Sequence, residues 1–246
     1  MTTSVAPQAH VQTDRIFFTG MAVAMAATAF VGFAPTYYLA GLNDAPTPVL
    51  TPTVHLHGGL CTAWMLLLVT QTGLIASGRP DIHRVTGLAG VVLALATLAT
   101  GVFVALESQR RVHTAANAGT LADPYVFVMF PLAAVGLFAL YVAAGVANRN
   151  RPDVHKRLML IATMSLLGPA LARIVTRTTP GIPGAIGALL LVDVFLLALV
   201  AYDLLVRGRL HPATLWGGGL LLVSEPLRVA IAFTEPWQAF GRLLMG

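Results

Sequence analysis

Charge is what this sequence lacks most. Asp, Glu, Lys and Arg make up only 10% of its 246 residues, against 57% hydrophobic residues. A soluble domain carries about 25% charged residues, so a water-soluble fold of this size could not cover its surface. A bilayer removes that demand, because lipid tails accept an apolar exterior. Lysine is scarcer still, with Lys156 alone among arginines. The single cysteine, Cys61, excludes an internal disulfide and any cysteine-rich zinc or iron–sulfur site. Nucleotide and hydrolase signatures are missing as well: there is no Walker loop, no GxSxG elbow and no dinucleotide glycine fingerprint. The last apolar stretch has neither a lysine for a retinal Schiff base nor a His-x-x-x-His zinc pair.

What is present is long and apolar. Seven stretches stand near 16–40, 54–76, 85–106, 125–147, 158–176, 183–206 and 213–233. Each approaches the ~20 residues that cross a hydrocarbon core as a helix. They are too long for strands and lack a strand's alternation. The expected fold is therefore all-α, a polytopic membrane bundle of about seven transmembrane helices. Residues 1–15 read as a cytoplasmic tail, 16–233 as a single bundle and 234–246 as a short outer-face tail. The tail before the first span has no small-residue cleavage site, so the first span is expected to insert uncleaved.

The formal charge of +5 is spread over the short loops between spans rather than gathered on one patch. Membrane lipids are thus the expected partners, and nucleic acid is not. With the N-terminus inside, the inner loops hold Arg15, Arg79, Arg84, Arg149, Arg151, Lys156, Arg157, Arg207 and Arg209. The outer loops hold only Arg110, Arg111, Arg177 and Arg242. This asymmetry predicts N-inside, C-outside, with a bacterial inner membrane as the location.

The chain also repeats itself. Arg79-Pro-Asp-Ile-His-Arg84 opens the third span and Arg151-Pro-Asp-Val-His-Lys-Arg157 opens the fifth. A looser copy, Arg207-Gly-Arg-Leu-His-Pro212, opens the seventh. Spans 2–3, 4–5 and 6–7 then read as three related hairpins. The Asp of the first two copies is expected to cap its helix.

Three constellations could carry chemistry. His83, His155 and His211 all fall at inner helix starts, where the helix dipole favours neutral imidazole. Two on neighbouring helices could ligate a haem b, and three could hold zinc; interfacial residues in a basic turn would look the same. His57, Cys61, Trp64 and Gln71 share one face of the second span. That face should point into the bundle, making His57 either a ligand and proton carrier or a packing residue. Finally, Arg173, Asp193, Glu225 and Arg228 lie inside the fifth, sixth and seventh spans. A charge at the bilayer centre costs at least about 2.5–3.5 kcal/mol, so the four are expected to form one buried, mutually paired network. Such a network could line a transport path or simply hold helices together.

His57 with Trp64 and Gln71, the His83-Arg84-x-x-Gly87 turn, His155-Lys-Arg-Leu-Met159, and Tyr202-Asp203 before His211-Pro-Ala213 resemble a group of uncharacterised bacterial multi-pass inner-membrane proteins. The histidine set is more weakly similar to cytochrome b and ferric-reductase-like bundles. That likeness implies haem held by histidines on adjacent helices. Three functions remain open at this stage. The first is a membrane oxidoreductase that binds haem or a metal through His83, His155, His211 or His57 and serves a redox or small-molecule partner. The second is a small proton-coupled permease built on the charge network. The third is a non-catalytic membrane protein that binds lipid or a partner.

Overall fold

A computed structural model describes residues 6–42, 50–111 and 123–245. The first five residues of the N-terminal tail, the middle of the first outer loop (43–49) and part of the next (112–122) lie outside them. The described chain is helical. Helix α1 (Ala6–Phe33) passes through a π turn at Ala34–Tyr38, and α2 (Pro52–Ala76) and α3 (Pro80–Arg111) form a hairpin. A short α4 (Pro124–Phe127) leads into α5 (Met129–Ala147), followed by α6 (Pro152–Leu166) and α7 (Gly168–Thr178). Helices α8 (Gly184–Arg207), α9 (Pro212–Ala232) and α10 (Glu235–Met245) complete the chain.

Among the described residues six helical segments are long and apolar enough to cross a membrane, and the pair α6–α7, bent by 48°, makes a seventh if it is one broken span rather than a re-entrant loop. The bend falls at Leu167-Gly168-Pro169. Proline cannot donate to the helical ladder, and its ring clashes with the preceding turn. Leucines and valines that a soluble protein would hide stay exposed, among them Leu66, Val85, Leu88, Leu95, Leu190, Leu197 and Leu205. The protein is thus an all-α integral membrane bundle. Lipid offers an apolar helix no hydrophobic drive to associate, so close packing and interhelical hydrogen bonds must hold it together.

Both are visible. Met25, Phe138, Leu160, Ile161, Met164, Leu199 and Leu221 are wholly buried at the centre. At Gly32 a Cβ would stand 2.5 Å from the Ala170 carbonyl oxygen, so only glycine lets α1 and α7 meet there. Buried polar groups cross between helices: Trp64 Nε1 donates to Thr163 Oγ1 at 3.1 Å, and Tyr141 donates to the Gly217 carbonyl at 2.8 Å.

The stretches read as tails are helical: α1 already begins at Ala6, and α10 occupies most of 234–246. Arg110 of α3 donates to the carbonyls of Leu244 and Met245, which the end of α10 leaves unpaired, and Trp237 donates to the Tyr125 carbonyl at 2.9 Å. Helix α10 is thereby tied across the ends of α3 and α4.

Candidate functional site

The starts of α3, α6 and α9 gather at one end of the bundle, the end the arginine pattern assigns to the inner face. Here the repeats separate into two different structures. The first two histidines meet. The His83 and His155 ring centres are 6.2 Å apart, with the rings nearly perpendicular at 86°. Each ring is oriented by the helix before its own. His155 Nδ1 donates to the Gly145 carbonyl at 2.8 Å. Gly145 lies in the last turn of α5, where carbonyls have no partner within the helix. Its lack of a side chain also matters, since a Cβ there would stand 2.8 Å from Met159 Sδ.

His83 Nδ1 lies 2.5 Å from the side-chain amide of Gln71 on α2. The amide is satisfied with its nitrogen donating to His83 Nδ1 and to the His83 carbonyl at 3.2 Å, and its oxygen accepting from Thr86 Oγ1 at 2.9 Å and from the Gly87 backbone N–H at 3.0 Å. His83 Nδ1 is then the acceptor, and the ring proton of the neutral imidazole lies on Nε2. The two rings are thus held from behind in opposite senses: Nδ1 of His155 donates and leaves Nε2 as a lone pair, while Nδ1 of His83 accepts.

His211 does not join them. Its Nδ1 accepts from Ala213 N at 3.1 Å, so the imidazole itself caps α9. Its Nε2 donates to Asp153 at 3.0 Å. Both ring nitrogens are engaged, which removes His211 from the expected ligand set and with it the three-histidine zinc centre. Burial is the main reason the imidazole binds protons more weakly than a free histidine, with Arg157 and Arg207 adding to the effect and Asp153 opposing it. The expected aspartate caps are corrected too. Helix α6 starts at Pro152 with Arg151 before it, so Asp153 lies in the first turn and serves His211 instead. Among the described residues, no three His, Cys, Asp or Glu side chains come together as a metal site.

Beneath His211 lies the ion pair that the sequence reading missed. Arg157 and Asp203 are both wholly inaccessible and form a salt bridge. Asp203 also accepts from Thr214 Oγ1 at 2.6 Å and from the His211 backbone N–H at 3.1 Å, while Arg157 donates to the Asp153 carbonyl. Next to them, Asp14 of α1 bonds both Lys156 and Tyr202. Asp203 thereby joins α6, α8 and α9. The signal was present in the Tyr202-Asp203 pair and in the arginine closing the second motif, but nothing in the spacing shows that they meet.

The expected paired network of Arg173, Asp193, Glu225 and Arg228 does not form. Arg173 stacks on Phe33 at 4.5 Å and donates to the Pro169 carbonyl, away from the other three. Arg228 folds back on Ser224, donating to its carbonyl and to its hydroxyl at 2.8 Å. Asp193 Oδ1 and Glu225 Oε1 are buried without a hydrogen-bond partner. The physical reason lies in the bend of α6–α7, which carries Arg173 out towards the end of α1.

The polar face of α2 points inward as expected. His57 Nδ1 lies 3.0 Å from Thr100 Oγ1, whose own hydroxyl hydrogen goes to the Ala96 carbonyl, so His57 donates. Cys61 Sγ is 3.5 Å from His57 Nε2. His57 is far along α2 from Gln71, and its hydrogen bond to Thr100 ties α2 to α3. No protein-family model matches the chain, and no curated protein or solved structure matches it.

Proposed function

We propose that this membrane bundle binds a metal centre between His83 and His155, and that the centre is haem iron in a redox protein. The supporting observation is the 6.2 Å separation of two imidazoles whose Nδ1 atoms are both held from behind. Two Nε2 atoms on opposite sides of one metal, each at about 2.0–2.1 Å, put ring centres roughly 6 Å apart. Zinc asks for three or four protein ligands, and the described residues supply two. Haem iron asks for two, because the porphyrin provides the rest. When bound, such a centre would pass single electrons to or from a redox partner. The chain's own contribution is to fix the two rings from separate hairpins, with Gly145 holding the His155 proton on Nδ1 and Gln71 fixing the His83 ring, which would shed its Nε2 proton on binding a metal. Arg84, within electrostatic reach of His83, adds positive charge that would favour an anionic group such as a haem carboxylate.

An absorption spectrum of the detergent-purified protein, before and after reduction, tests the reading. A Soret band with a reducible α-band supports it. A colourless protein that stays colourless after titration with hemin rejects haem, and metal analysis with no bound metal then rejects the centre altogether.

A further inference from the structure

The middle of the bundle holds a second arrangement, remote from the histidine pair and independent of it. Glu225 on α9 is 93% buried by its 7% exposure, and its Oε1 has no partner. Asp193 on α8 lies close enough for two negative charges to repel, and its Oδ1 is also buried and unpartnered. Among the described residues the neighbouring cation is Arg228, one turn along α9, whose guanidinium is spent on Ser224 rather than on either carboxylate. Tyr141 of α5 interacts with Arg228 and donates its proton to the Gly217 carbonyl. The charges of α6 lie at its far end, where Asp153, Lys156 and Arg157 are bound to His211, Asp14 and Asp203. On α10, Glu235 pairs with Arg242.

The charge count is simple. Two carboxylates and one arginine sum to −1, and in a low-dielectric interior that charge has no counter-ion. Ionised carboxyls facing one another in such a site cannot both be sustained. A metal cation is a poor occupant, since hard cations take six or more oxygens and two carboxylates supply at most four. One proton brings the sum to zero and needs only one lone pair to hold it.

We infer that Asp193 and Glu225 form an intramembrane proton-binding site, the pair loaded with one proton that exchanges with solvent. A group of this kind at bilayer depth is the element through which a membrane protein couples proton movement to another event. Pro226 follows Glu225 directly, and its missing N–H leaves the Leu222 carbonyl without its helical donor, giving the site a locally loosened wall.

Infrared spectroscopy of the lipid-reconstituted protein tests this. At neutral pH the wild type should show one protonated-carboxyl band per chain, shifting on transfer to D2O. The band should vanish in Glu225→Gln. In Asp193→Asn the repulsion is gone, so Glu225 should hold its proton at least about tenfold more weakly and lose the band at lower pH. No band in the wild type, a band that does not shift in D2O, or one that persists in Glu225→Gln would each overturn the assignment. The wild-type measurement decides even if a variant fails to fold.

Discussion

Removing Asp203 tests the energetic centre of the fold. The carboxylate is wholly buried and serves three donors: the Arg157 guanidinium, the Thr214 hydroxyl and the His211 backbone N–H. Asp203→Ala leaves an arginine charge buried with one remaining hydrogen bond, to the Asp153 carbonyl. Breaking a buried pair in this way costs about 3–5 kcal/mol, because the surviving charge is uncompensated. For a domain of this length that corresponds to a midpoint lower by about 6–20 °C. Asp193→Ala removes a carboxylate that has no hydrogen bond to lose and relieves repulsion on Glu225. It should be far milder, or stabilising. Thermal unfolding of both variants in the same detergent makes the comparison. A further variant, Asp203→Leu with Arg157→Met, should recover most of the loss, since well-packed apolar residues can replace a buried pair. Equal destabilisation by Asp203→Ala and Asp193→Ala, or no recovery in the double variant, would refute the reasoning.

Other consequences are as direct. Gly32→Ala drives a methyl to 2.5 Å from the backbone of α7, where neither side can yield cheaply, and should cost about 1–3 kcal/mol in the same assay. His211 should give a pH signature. Its proton affinity is lowered in the fold from the ordinary 6.5, so the unfolded chain binds the proton more readily. Its contribution to stability is therefore full above about pH 6.5 and lost as pH falls below it; unfolding midpoints measured from pH 7.5 to 5 should decline, and less so in His211→Asn, which can still cap α9. Reporter fusions after Asn43 should read outside and those after Arg151 inside; the reverse would invert the bundle.

The fold was legible because membrane helices are written in composition. Length and the scarcity of charge marked where the apolar spans lie. The site was legible only where repetition marked it. Matching motifs on the second and fourth loops brought His83 and His155 to one place, as related hairpins should. The third copy misled, because His211 sits before its helix rather than within the first turn, where its ring turns back as a cap. The buried charges misled for another reason. An energetic rule says that intramembrane charges pair, yet not which ones do so, and Arg157 with Asp203 is joined across 46 residues of sequence. Gln71 and Gly145 could not be read as supports for histidines, since a side-chain amide and a helix-end carbonyl carry no pattern of their own.

Haem content per chain in single histidine variants measures most directly whether His83 and His155 act as one centre. His83→Ala and His155→Ala should each lose the bound haem, or its low-spin bis-histidine spectrum, while His57→Ala keeps both. Retention of the wild-type spectrum in either of the first two variants, or its loss only in His57→Ala, would contradict the assignment.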